Sequence, residues 1–146
     1  MESNAWLRFS TQTREVLSFA QEEAFRANHC HIERDHILIG LLLEPDGRSG
    51  HILRQLGLDV EDVRMKISQR SKQEKSRRSK KAELSPTVKK ILESAVQAAR
   101  RRGEAVIQSE HLLLGLIEQN DGPATDIFAT FGVQVEQIQA EIEKLD

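Results

Sequence analysis

Apolar residues in this chain recur at helical spacing, and they do so twice. Thr13, Val16, Leu17, Ala20, Ala24 and Ala27 fall on one stripe, and Val88, Ile91, Leu92, Ala95 and Ala99 form a matching stripe further along. Ser10 stands where the first of these helices needs an N-cap, and Ser85-Pro86 supplies a cap followed by proline at the first helical position. Gly103 is suited to end the second as a left-handed residue. The segments 33–43 and 109–119 are apolar on nearly every side, so each predicts a helix at the centre of a core. Asp46-Gly47 and Asp121-Gly122 mark turns. Third helices are expected over 49–56 and 123–131, stopping at Gly57 and Gly132. Fourth helices follow Leu58-Asp59 and Val133-Gln134, with Val63 and Ile138 placed to pack back onto Leu58 and Val133.

The two sets are copies of one unit. Residues 9–70 lie on residues 84–145 without a gap, pairing Ser10 with Ser85, Leu17 with Leu92, His36 with His111, Gly40 with Gly115, Gly57 with Gly132 and Ile67 with Ile142. The expected fold is therefore all-α, with two tandem four-helix repeats, about eight helices in all, packed around a pseudo-two-fold axis with a groove between them. Residues 71–83 fall between the copies and read as a solvated basic linker.

Composition changes this picture little. Aromatics are few (Trp6, Phe9, Phe19, Phe25, Phe128, Phe131), so the core must be built from Leu, Ile, Val and Ala, as helices favour. The formal net charge of -2 gives no global argument for nucleic acid or membrane, but the linker holds six basic and two acidic residues. No aromatic is interleaved there for base stacking, so the run reads as a solvated segment and nucleic acid is not the expected partner. The single cysteine, Cys30, excludes an internal disulfide and fits a reducing compartment. With no signal-like start and no apolar run long enough to span a bilayer, the expected location is cytoplasmic, without a membrane partner.

Candidate chemistry is mostly absent. No glycine is followed by lysine, so the chain has no phosphate-binding P-loop, and GxSxG, CxxC and HExxH are missing too. His29-Cys30-His31 offers metal-ligand types, but three consecutive residues cannot easily close one tetrahedron, and a polar turn is the expected role. His36 and His111 recur inside apolar helices with no nucleophile in a recognisable motif, which points to buried structural histidines. No catalytic residue, metal or cofactor is expected.

The repeated block Glu33-Arg34-Asp35-His36-Ile37-Leu38-Ile39-Gly40-Leu41 and Gln108-Ser109-Glu110-His111-Leu112-Leu113-Leu114-Gly115-Leu116 resembles the hallmark of the Clp N-terminal repeat. Ala20-Gln21-Glu22-Glu23-Ala24, Ser85-Pro86 and the pairs Leu56-Gly57 and Phe131-Gly132 extend the likeness over nearly the whole chain, closest to the ClpC branch. The resemblance implies a domain that sits on an ATP-driven AAA+ unfoldase ring working with a Clp protease, binds adaptor and substrate proteins, and hydrolyses nothing itself. A free-standing accessory subunit that docks on and regulates the Clp complex is the alternative it leaves open.

In some ClpC-type members the same domain recognises phosphoarginine, with one pocket per repeat. Carried onto this sequence, that function implies Ser10 and Asp35 in the first repeat and Ser85, Ser109 and Glu110 in the second. A phosphorylated guanidinium needs donors for its phosphate and a carboxylate for its N–H groups, and a helix start with a serine and an acidic residue offers both. The first repeat departs from the pattern, with Arg34 for a small threonine and Asp35 for glutamate, so the second repeat is expected to hold the dominant pocket.

Overall fold

The computed structural model describes residues 8–71, 82–119 and 127–145, the side chains at 70 and 71 excepted. Among these, the first copy holds α1 (Thr11–Arg26), β1 (His31–Ile32), α2 (Arg34–Leu43), α3 (Arg48–Gln55) and α4 (Val60–Ser71). The second holds β2 (Glu83–Leu84), α5 (Pro86–Arg101), α6 (Ser109–Glu118), α7 (Ile127–Thr130) and α8 (Val135–Glu143). The all-α, twice-four-helix architecture is the one the apolar pattern predicts. Of the expected third helix of the second copy, 123–126 lie outside the described residues, as do 72–81 of the expected linker. The two last linker positions belong to the body of the fold, for Ala82 is buried and Glu83 begins β2. No helix among the described residues is long and apolar enough to cross a membrane.

Matching local devices start and stop the helices of both copies. Ser10 Oγ accepts from the Thr13 N–H at 3.0 Å, and Ser85 Oγ accepts from the Val88 N–H at 3.1 Å, each satisfying an amide that has no partner inside its helix. Gly103 takes the left-handed conformation that ends α5 (φ 69°), and Asn28, its counterpart after α1, takes it too (φ 63°). Asparagine is among the few non-glycine residues that tolerate this region. The chain then turns back, with the His29 N–H on the Ala24 carbonyl and the Glu104 N–H on the Ala99 carbonyl, both at 2.9 Å.

α2 and α6 are the central helices, with Ile37, Leu38, Ile39 and Leu41 in one and Leu112, Leu113 and Leu116 in the other all buried. Each lies against the long helix before it at a glycine. A Cβ on Gly40 would sit 2.4 Å from the Val16 carbonyl oxygen, and one on Gly115 would sit 2.5 Å from that of Ile91. No methyl group fits at such a distance.

The copies are joined by short parallel pairings that exchange between them. β1 pairs with β2, with the Glu83 N–H on the Cys30 carbonyl and the Ser85 N–H on the Ile32 carbonyl. Phe9 and Ile107 form the counterpart bridge, where the Ser10 N–H donates to the Ile107 carbonyl at 3.0 Å and the Ile107 N–H donates to the Arg8 carbonyl at 2.8 Å. Since Phe9 and Ile32 are the register partners of Leu84 and Ile107, the two pairings are related by the pseudo-two-fold axis.

His36 and His111 serve the helix starts. Each Nδ1 accepts the N-cap amide, from Glu33 and from Gln108, at 2.8 Å in both cases. In the neutral ring the proton therefore sits on Nε2. His36 Nε2 lies 2.9 Å from His29 Nδ1, whereas His111 Nε2 lies 3.1 Å from Glu104 Oε2, and His29 and Glu104 are register partners. Burial holds His111 below the ordinary histidine range and outweighs the opposite pull of Glu104 and Glu110.

Two outcomes follow for stability. Gly40→Ala and Gly115→Ala should each destabilise, because overpacking of about 1–3 kcal/mol exceeds the roughly 0.8–1 kcal/mol that alanine gains in helix propensity. Denaturant midpoints measure this, and an unchanged or raised midpoint would contradict the close crossing. For His111 the sign follows from its depressed folded pKa. As pH falls below the unfolded value of about 6.5, the unfolded chain takes up the proton before the folded chain does, so stability declines. His111→Gln should cost about 1–3 kcal/mol at neutral pH and make that acid decline shallower. An equally steep decline in the variant would show that the ring does not resist protonation.

Candidate binding site

The five residues singled out from the sequence lie at helix starts, and the strand exchange decides their neighbours. The hydrogen bond from Ser10 to Ile107 sets that serine beside the segment leading into Ser109 and Glu110. The bond from Ser85 to Ile32 sets the other serine beside the segment leading into Asp35. Each serine is thus tied to the opposite copy, a connection that intervals within one copy do not reveal. Both hydroxyls serve as caps, and Ser10 Oγ also lies 2.7 Å from Thr13 Oγ1, which donates to the Ile107 carbonyl. Ser85, Asp35, Ser109 and Glu110 are buried, and Ser10 is half-buried.

The starts of α2 and α6 differ in what covers them. Arg34 Nη2 donates to the Gln119 carbonyl at 2.7 Å, so this guanidinium lies at the C-terminal end of α6, where the helix dipole favours a cation. Gln119 Nε2 in turn donates to Ser94 Oγ at 2.8 Å. The residue that breaks the family pattern in the first repeat therefore joins the two copies. Asp35 Oδ1 lies 3.6 Å from His36 Nδ1, beyond hydrogen-bond range.

At the start of α6 the first residues of α3 are laid across Ser109 and Glu110. Ser49 Oγ is 3.2 Å from Ser109 Oγ, and Arg48 Nη1 is 3.4 Å from Glu110 Oε2. α3 is held there by its own close approach to α2: a Cβ on Gly50 would sit 2.5 Å from the Leu41 carbonyl oxygen, and Arg54 Nη1 donates to the Leu42 carbonyl at 2.8 Å. Glu44, fully buried in the turn between α2 and α3, accepts the Asp46 N–H on Oε2 at 2.9 Å. Among the described residues its Oε1 has no hydrogen-bond partner; it would lie 2.7 Å from a Cβ on Gly47, which would also stand 3.6 Å from Ser109 Oγ.

Two helix N-termini thus meet at a buried carboxylate, Glu110, paired with the Arg48 side chain, which is 61% exposed. The positive ends of α3 and α6 stabilise the carboxylate in place. Chemically, the junction presents a buried carboxylate to a guanidinium through a single contact. Among the described residues no group of three or more His, Cys, Asp and Glu is arranged to hold a metal ion. His29 is buried against His36, while Cys30 and His31 are exposed in and beside β1.

Several contributors escape the sequence reading. Arg48, Ser49 and Glu44 belong to a turn and a helix start whose packing partner lies in the other copy. Arg14 and Lys89 flank a groove of about 690 Å³ floored by Leu17, Ile32, Ala82 and Leu84. Arg14 and Lys89 do occupy equivalent places four residues beyond their cap serines, which is the signal that marks them.

Comparison with known proteins agrees with this architecture. The family model described as the Clp repeat (R) N-terminal domain matches residues 8–131 and 83–145. The negative regulator of genetic competence ClpC/MecB of Bacillus subtilis is 32% identical over 138 residues, covering 94% of this chain. The chain spans only 17% of that relative's length. Among solved structures, the N-terminal domain of the chaperone ClpD from Arabidopsis thaliana superposes with a TM-score of 0.78 at 24% identity, covering 99% of this chain and 97% of that one. A ClpV N-domain solved with a VipB peptide gives a TM-score of 0.64 at 18% identity, over 100% and 84% of the two chains. At such identities these two likenesses speak for the fold alone. The family model, which matches nearly the whole chain and both copies, places the chain in the Clp repeat N-terminal domain family.

Proposed function

We propose that this chain is the non-catalytic recognition module of a Clp-type ATP-dependent unfoldase, with repeats at 9–70 and 84–145 joined by the basic segment 71–83. It acts in the cytoplasm, binding adaptor and substrate proteins and delivering them to the AAA+ ring and its protease. Support for protein binding comes from the family and from the same fold having been solved with a peptide on a ClpV N-domain. The absence of a Gly-Lys step in these residues agrees with recognition rather than nucleotide chemistry.

The ligand chemistry follows from one observation: Glu110, buried at the start of α6, already faces a guanidinium, that of Arg48, at 3.4 Å. A protein-borne phosphoarginine is the ligand this site suits. Its guanidinium takes Glu110, and its phosphate takes the first amides of the helix with the Ser10 hydroxyl close by. The first repeat suits it less, since the shorter Asp35 stands where the second repeat has Glu110 and Arg34 stands where it has Ser109.

Titration with free phosphoarginine, compared with arginine and phosphoserine, should show one dominant site. Loss of a charge-assisted hydrogen bond, about 1.5–3 kcal/mol, corresponds to roughly 10- to 100-fold weaker binding in Glu110→Gln, while Asp35→Asn should change little. Equal binding of arginine, or indifference to Glu110→Gln, would remove phosphoarginine reading and leave protein docking alone.

A further inference from the structure

We infer that Arg48 is an internal occupant of the Glu110 site, a specificity-determining residue that every cationic ligand must displace. The inference rests on the reading of Glu110 as a guanidinium acceptor. The partners of this pair are unequally held: Glu110 is buried, whereas the Arg48 side chain is 61% exposed, and their 3.4 Å separation is at the loose end of hydrogen bonding. The carboxylate is fixed and the cation is free to leave. Its departure returns a strongly basic group to water.

The seat survives that departure. α3 is held by Gly50 on Leu41, by Arg54 on Leu42 and by Ser49 on Ser109, none of which involves Arg48. Glu44 is a second buried carboxylate in the turn leading into α3, with no hydrogen-bond partner on Oε1 among the described residues. The first repeat cannot copy this device, because the register partner of Arg48 is Pro123 and that of Ser49 is Ala124. Arg48 thus sets a threshold at one site: a lone arginine side chain only exchanges one guanidinium for another, and a ligand must bring further contacts, such as a phosphate, to bind in its place.

Calorimetric titration of the whole chain with phosphoarginine and with free arginine tests this, using wild type, Arg48→Ala, Glu110→Gln and the double variant. An exposed ion pair is worth little, so Arg48→Ala should tighten both ligands by about two- to five-fold. The double variant should bind no better than Glu110→Gln. Unchanged affinity in Arg48→Ala would make Arg48 a bystander, and weaker affinity would make it a ligand contact; either overturns the inference while the Glu110 reading stands. Binding that ignores Glu110→Gln, or no binding in either wild type or Arg48→Ala, would overturn both. Thermal melting of each variant checks that the fold is retained, which the exposure of the Arg48 side chain leads one to expect.

Discussion

Two helices can cross with backbone against backbone only where one of them has no side chain, and this fold uses that constraint twice. Gly40 meets the carbonyl of Val16, and Gly115 meets that of Ile91. The approach draws α2 down onto α1 and α6 onto α5, which closes the apolar core shared by the two copies and fixes how far each central helix reaches toward the other copy. The N-terminal turns of α2 and α6 are thereby set beside the exchanged strands. Gly50 on the Leu41 carbonyl applies the same device again and brings α3 across the start of α6. Positions that bear no chemistry of their own thus place Glu110, Ser109, Ser49 and Arg48.

Duplication supplied two equivalent frames, and divergence has filled them differently. The ring that organises each helix start is shared, but its outer nitrogen meets His29 in one copy and Glu104 in the other. Glu23 and Arg64 tie α1 to α4 at 2.9 Å, with the guanidinium raised above its ordinary pKa by that bond, whereas the second copy has Ala98 and Gln139 at those places. Arg34 joins the end of α6, where its counterpart Ser109 meets Ser49 instead. The frames that persist carry packing, and the places that differ include the junction between copies, where Arg34 and Ser109 stand. A recognition site confined to one copy is the natural consequence of such uneven filling.

The fold was legible in the sequence to a large degree, because its signals are local and repeated. The serine caps, the apolar stripe of α1 and α5, and the all-round apolar character of α2 and α6 each follow from spacing alone. What remained hidden depends on contacts between distant segments. The two short strands carry only two residues each, too few for an alternating pattern, and Ala82 and Glu83 read as the tail of a charged linker because their partners lie far back along the chain, in the first copy. The candidate site was legible residue by residue, as Ser109 and Glu110 at a helix start. Its charge state was not, since Arg48 and Glu44 come from the turn region of the other repeat. Arg34, read from sequence as an intruding charge, has a structural partner in the Gln119 carbonyl that only the packed pair of repeats provides.

The central claim is that one junction, between α3 of the first copy and the start of α6 of the second, receives the ligand. Backbone amide chemical shifts of the isotope-labelled chain, followed by NMR during titration with phosphoarginine, test it most directly. The account predicts shifts concentrated at residues 107–111 and 47–49, with the equivalent start of α2 at residues 32–36 nearly silent. Equal shifts at both helix starts, or shifts confined to surfaces away from Glu110, would contradict it.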